Sequence, residues 1–536
     1  MKVGNGPALL IVFIAAWFNS FAQDLPVFPG AEGFGSRTPA GRGGEIITVT
    51  NLNPEGPGSL KEACESSGPR IVVFEVGGVI DLRPLNDNLP IAIRNPYITI
   101  AGQTAPSPGI TIIGYGIRIA THDVWISHLA IRQGDFEGAR GSTRQCFYID
   151  GSENNHAADI FINNCSLTWS VNKMVSTWTN GDDYTHDITF LNCTFCEGLH
   201  CAGIHPEGCH SKGFLLGDYT IKISLIGNLF SHNVDRNPAC KGRSRSVLVN
   251  NLIYNPGGVA IVGTMSTYYG GGMRSIRMSA VGNVLKPGRD TQLFSDVFID
   301  LGGVGGSSRV YEHDNVDLSE RYPATNVNSE WRYDDPDSVL WTSPLTVLHS
   351  SQTYEYVLNN AGYRPAERDY IDERIINDVR NSTGRIINHI SEVGGFPDFD
   401  ETRRELNIPD NPDGDEDGDG YTNVEAWLHD MARAVEGTGR PDPLEVSDMS
   451  VRVDECSTRG VLYCCRGKIE LRFPSEVSIR RVDLFSADGT VCLTRKKLPG
   501  NTVPVPQKVV RSGVYFIKVW LSDSDNVISS RILLPG

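Results

Sequence analysis

The chain has 536 residues, room for three or four domains at roughly 150 residues each. Hydrophobic residues make up 40% and charged residues 21%, a balance that excludes an intrinsically disordered chain. The net charge is −16, from 48 Lys and Arg against 64 Asp and Glu, which excludes nucleic acid as a partner because phosphates need a basic face.

In chain order, the first feature is an address. Lys2 precedes an apolar run from Ala8 to Phe18, and Ser20-Phe21-Ala22 supplies small residues where a signal peptidase cuts. Residues 1–22 therefore read as a signal peptide cleaved before Gln23, too short to cross a bilayer. No other run approaches transmembrane length. A secreted protein, extracellular or at the cell surface, is expected, with 12 Cys in a compartment that permits disulfides.

Short β-like segments then return along the chain. Ile98–Gly102, Val124–His128, Ile160–Asn164, Ile188–Asn192, Ile223–Asn228, Val247–Asn251 and Met278–Asn283 each end on a turn residue. From His128 onward the ends are spaced by 36, 28, 36, 23 and 32 residues, with no amphipathic helix between them. That pattern predicts a solenoid, a right-handed parallel β-helix over residues 23–400. A β-sandwich would need closer spacing and hairpin turns such as Asn-Gly, which are scarce. An Asn closing each strand can bond the turn below it, giving a ladder along one corner. Cys165 and Cys193 each follow such an Asn and are expected on neighbouring coils about 4.8 Å apart, as a disulfide or as stacked thiols.

Ile371, Ile375 and Val379 predict a helix within Arg368–Asn381, an extension of the solenoid domain. An acidic, Gly-rich stretch within 401–440 follows. Asp415, Asp417 and Asp419 stand at alternate positions before Gly420, with Tyr421 and Asn423 next, the spacing of an EF-hand-like calcium loop. Its twelfth position is Ala426, and the nearest acid, Glu425, comes one place early. Ile469–Phe473, Ile479–Phe485, Val514–Trp520 and Val527–Leu534, with the turn Ala487-Asp488-Gly489, predict a C-terminal β-sandwich over 441–536. The fold class is thus all-β with a small calcium segment, and a monomer is expected.

A basic group stands out in this acidic chain. Arg236-Asn237-Pro238 is followed by Lys241, Arg243 and Arg245, and side chains on successive coils of a solenoid suit an extended anionic polymer. Cys193, Cys196, Cys201 and Cys209 with His200, His205 and His210 could hold zinc, but export and stacking favour disulfides or core thiols. Gly30, Gly33 and Gly35 lack the strand-turn-helix setting of a nucleotide site.

The stretches Asn228–Pro238 and Asn250–Asn255 resemble the pectate lyases of polysaccharide lyase family 1, as do Phe28–Gly35, Cys165–Ser170 and His210–Gly213. Arg368–Asp372 and Glu392–Pro397 resemble the same secreted bacterial enzymes, so the likeness runs from about residue 26 to 430. The resemblance implies β-elimination in 4-linked galacturonan of the plant cell wall. A base takes the C5 proton, the C4 oxygen leaves, and an unsaturated oligogalacturonide results. It implies Arg236 as the base, Lys212 as a substrate lysine, Lys241 or Arg243 as the second basic group, and His210 within a substrate-binding motif. Neighbouring Lys241 and Arg243 would favour a neutral Arg236, which is otherwise held protonated.

The chain also departs from the family pattern. Relatives follow the Cys-Ser-x-x-Trp-Ser motif with an Asp-Glu pair that binds calcium; here Asn172-Lys173 stand there. Gln145 falls where an Asp is expected, with Asp150 nearby as a weaker metal candidate. Lys173 is therefore expected to replace the catalytic cation, leaving calcium a structural role in the acidic loop. The alternatives are a non-catalytic protein that binds acidic polysaccharide and a lyase for another uronate. A hydrolase on this fold would need a spaced carboxylate pair. The tail, with Gly513–Val519, resembles the sorting domains of the type IX secretion system and implies contact with that machinery.

Overall fold

The computed structural model describes residues 25–437, except 86, 88–89, 137–143, 153–154, 180–184, 204 and 267–270, together with residue 439 and the strands beyond residue 460. The signal segment 1–22 and the turn Ala487–Gly489 lie outside the described residues. Two units are formed, divided between Arg440 and Pro441.

The first unit is the expected right-handed parallel β-helix. One coil consists of Lys173–Thr179, Thr185–Leu191 and Thr194–Cys196; the next consists of Lys212–Leu216, Ile221–Ile226 and Leu229–Ser231. Among the described residues the stacked coils build three sheets of ten, eight and ten strands, one of the tens counting the antiparallel edge strand Thr402–Arg403. Coil-to-coil pairing is parallel and in register, as in Ile188 with Ile223 and Phe195 with Phe230. These strands carry apolar runs because parallel sheets are covered on both faces. Phe190, Phe195, Phe214 and Phe230 pack inside, with centroids 4.7 to 5.9 Å apart.

One corner carries the Asn ladder, in two registers rather than one. Asn164, Asn192, Gly227, Asn250, Gly282 and Asp314 hold the left-handed turn, with φ between 46 and 67°. Asn and Gly suit that conformation because their strain there is small. The following residues form the hydrogen-bonded ladder. Asn228 Nδ2 donates to Asn251 Oδ1 at 2.9 Å, Asn251 Nδ2 to Asn283 at 2.9 Å and Asn283 Nδ2 to Asn315 at 2.8 Å. The expected single ladder through Asn164, Asn192 and Asn228 thus merges two columns. Cys165 and Cys193 occupy the ladder register on the earlier coils as buried free thiols, and the Cys193 amide donates to Asn228 Oδ1 at 2.8 Å.

The helix Tyr370–Asn381 forms where expected, capped by Asp369, whose carboxylate accepts from the amides of Ile371 and Asp372. A second helix, Ser350–Asn360, packs on the same side and was not marked by the sequence pattern. The segment 401–440 is part of the first unit. Thr402–Arg403 pairs antiparallel with Val76–Asp81, and Val424 and Leu428 of the helix Asn423–Val435 pack on Ile71, Val73 and Ala101.

The second unit holds two antiparallel sheets. One contains Val461–Cys465, Lys468–Arg472 and Thr502–Val505; the other contains Val491–Lys496, Ile479–Ser486, Gly513–Leu521 and Val527–Leu534.

Asn251 supplies two donors and accepts from both the Asn228 amide and its side chain. Replacing it by Ala strands these buried groups, so Asn251→Ala is expected to lower unfolding free energy by about 1–3 kcal/mol. Urea unfolding midpoints of the two proteins measure it.

Candidate active site

In-register stacking puts the basic residues together. Lys173 and Lys212 open adjacent strands of the eight-stranded sheet and are direct register partners. Gln145 precedes Lys173 in this column and Asp235 follows Lys212, so Arg236 lies beside its far end. Lys241 closes the next strand, Ala239–Lys241.

The turn carrying Arg236 is built to hold it. Its φ of 63° is a left-handed conformation that a non-glycine residue adopts at a cost, and such strain gathers at functional sites. Asn233 Nδ2 donates to Asn237 Oδ1 at 3.1 Å, and Asn237 Nδ2 donates to the Val259 carbonyl at 3.0 Å. The Arg236 carbonyl accepts from the Phe214 amide at 2.7 Å. A Cβ on Gly213 would come within 2.5 Å of that carbonyl, which is why glycine follows Lys212.

The electrostatics follow from burial and from like charges on neighbouring strands. Burial, then Arg236 and Lys212, push the Lys173 ammonium down to about 7, while its Nζ donates to Asn172 Oδ1 at 2.8 Å. Lys212 and Lys241 are also pushed down, first by burial, with Arg236 contributing to each. Burial lowers Arg236, and Asp235, 3.7 Å away, opposes the shift. Burial is thus the cause, whereas the sequence pointed to Lys241 and Arg243. Arg243 instead lies over the Tyr219 ring at 4.7 Å.

A loop clasped by the Cys201–Cys209 disulfide borders this group. It carries His205 and Glu207 and leads into His210, whose ring stacks on His205 at 3.5 Å. Burial and the nearby Lys212, His205, Lys173 and Arg236 push His210 down to about 3. The ligand atoms of His205, Glu207 and His210 lie within 4.8 Å of one another. Their rings, only 25° from parallel, cannot both direct an in-plane lone pair at one ion, so zinc does not fit here. Glu207 went unmarked in the sequence; the only signal for it was the Cys pair eight residues apart.

No family model matches the chain. A probable pectate lyase C of Aspergillus flavus is 29% identical over 447 residues, 77% of this chain and 95% of that protein. Another from Aspergillus fumigatus is 35% identical over 252 residues, 47% of this chain and 53% of that one. The chain is a pectate lyase-like polysaccharide lyase. Solved pectate lyases of Bacillus subtilis and Bacillus sp. N165, the latter in complex with trigalacturonate, are 15% and 14% identical to it. Their TM-scores are 0.43 and 0.40; they cover 64% and 62% of this chain and 98% of each of theirs.

The other predicted positions of the lyase fall as follows. Gln145 Oε1 accepts from the Ser176 hydroxyl. Asp150 is at the opposite end of the strand Gln145–Gly151, ion-paired with Arg118 and accepting from Ser152, away from the cation column. The oxygens of Asp415, Asp417 and Asp419 gather within 4.8 Å of one another, an oxygen set suited to calcium. Asp419 accepts from the Tyr421 amide at 2.9 Å, and Asn423 opens the next helix, its Nδ2 donating to the Asn411 carbonyl at 2.8 Å. Glu425 faces away from the loop, pairing with Arg42 at 2.7 Å and capping the helix with Thr422.

Lys173 sets a stability test. Its folded value, about 7, lies below the ordinary 10.5, so the unfolded chain holds the proton more tightly. The penalty is full below pH 7 and fades as pH rises towards 10.5. Lys173→Met is expected to exceed the native protein in unfolding free energy at pH 7, with the gap narrowing by pH 10, as read by denaturant titrations across that range.

Proposed function

We propose that the chain is a secreted enzyme that cleaves pectate or pectin, 4-linked galacturonan, by β-elimination, with Arg236 as base and Lys173 in place of a catalytic calcium ion. The observation that carries this reading is the meeting of Lys173, Lys212, Arg236 and Lys241 on neighbouring coils of a chain whose net charge is −16. A uronate carboxylate bound at Lys173 and Lys212 adds counter-charge to that of Glu207 and Asp235 and holds these ammonium groups protonated. Their charge stabilises the carbanion developing at C5 as Arg236 removes its proton. Electrons from that C–H bond form the C4–C5 double bond, and the C4–O bond breaks with its pair on the leaving oxygen, which takes a proton from water. Burial supports Arg236 as a base by raising the cost of its charged form. His210, kept neutral beside these cations, can accept or donate a hydrogen bond to a sugar hydroxyl. Lys241 extends the cationic surface along the polymer.

In this reading calcium is structural, held by Asp415, Asp417 and Asp419 with the Tyr421 carbonyl and Asn423. Signal peptide and sorting tail deliver the enzyme through the type IX machinery to the cell surface or medium.

The unsaturated product absorbs in the ultraviolet, so absorbance is followed with polygalacturonate and with methylated pectin, each with calcium or chelator. A rise in chelator is expected, reduced in Arg236→Ala by about 10²–10⁴-fold. A rise only with calcium would exclude Lys173 as its replacement. No rise on either polymer would leave a binding protein or a lyase for another uronate. Chelator is also expected to lower Tm while sparing the rate, and Asp417→Asn should remove that shift; an unchanged native Tm would exclude structural calcium.

A further inference from the structure

Phe294 is 82% exposed, the largest exposure among the large hydrophobic side chains of the described residues. Water contact on a whole aromatic face is unfavourable, and a face held in place by fixed backbone offers a ligand a ready apolar surface. That is the case here. The Gly258 amide donates to the Val234 carbonyl at 2.9 Å, and the Phe294 amide donates to the Gly258 carbonyl at 2.9 Å. Phe294 therefore stands two coils beyond the turn Val234–Arg236, about 10 Å along the stack. It precedes Ile299–Asp300 of the eight-stranded sheet, as that turn precedes Ala239–Lys241.

Gly258 is what lets the ring lie down. A Cβ there would come within 2.3 Å of Phe294 Cε2 and Cζ, whereas the bare glycine accepts the ring against its backbone. The contact with Gly258 holds the ring in place and leaves most of it open to solvent.

We infer that Phe294 is a stacking platform for a sugar ring of the polymer, binding a residue two coils beyond the one held at Arg236. A pyranose has an apolar C–H face that lies on an aromatic ring, so this position takes the sugar by its face, independent of its carboxylate. The inference rests on the galacturonan reading above and adds a subsite to it.

Phe294→Ala is expected to raise KM for polygalacturonate about three- to tenfold, the worth of one aromatic contact, with a smaller fall in kcat. Gly258→Ala should raise KM in the same direction by displacing the ring, a flexible side-chain end, and Phe294→Trp should restore binding. Unchanged KM in both Phe294→Ala and Gly258→Ala would overturn the platform. If the native protein does not cleave, the lyase reading fails and the dissociation constant for polygalacturonate decides the platform alone. A three- to tenfold rise in Phe294→Ala then supports it, and equal constants overturn it.

Discussion

Parallel stacking of coils about 4.8 Å apart is the constraint on which this structure rests. Because the pairing is in register, each side chain has a neighbour of the same position on the coils before and after it. Inside, this gives the aligned Ile, Leu and Phe rows of the core. At the corner it gives the Asn228–Asn315 ladder, where each amide satisfies the next. On the eight-stranded sheet the same rule places Lys173 directly beside Lys212. A loop-borne pair of lysines would separate; strand residues cannot, and burial first, then the neighbouring cations with Arg236 foremost, lower the proton affinity of both.

Much of what resembles the lyase family is assembly rather than chemistry. Trp169 is buried and donates to Glu197 at 2.9 Å, and Glu197 pairs with Arg374 on the helix Tyr370–Asn381 at 2.6 Å. Asp369 and Asp372 of that helix bind the buried Arg132 at 2.5 and 2.9 Å. Breaking one partner of such a pair leaves a buried charge uncompensated, so these residues tie the helix to the solenoid. The N-terminal motif does the same on another face. Glu32 accepts from the Thr346 amide at 2.9 Å, and a Cβ on Gly35 would come within 2.2 Å of the Ile160 carbonyl.

The acidic loop and the disulfide loop show how local geometry decides among ligand sets that look alike in composition. Alternate Asp residues converge because the turn brings positions 415, 417 and 419 round one point. Glu425, the acid that could have completed the set, is drawn into the helix cap and to Arg42. The His pair of the disulfide loop stacks face to face, an arrangement suited to packing beside cations and unsuited to chelation.

The sequence alone carried the repeating strands, a helix within 368–381, the strands of the tail and the identity of the basic residues, because periodicity and residue type are local properties. It also marked Arg236, Lys212 and Lys173 for the site. Register was beyond it: Asn192 and Asn228 both close strands, yet they stand in different columns. So were long-range choices. Arg243 turns to Tyr219, Asp150 to Arg118, and Glu207 reaches the site only through a disulfide-clasped loop. The exposure of Phe294 on Gly258 belongs to the same class. Each depends on which coil lies above which, and loop lengths that vary between coils conceal that alignment until the chain is stacked.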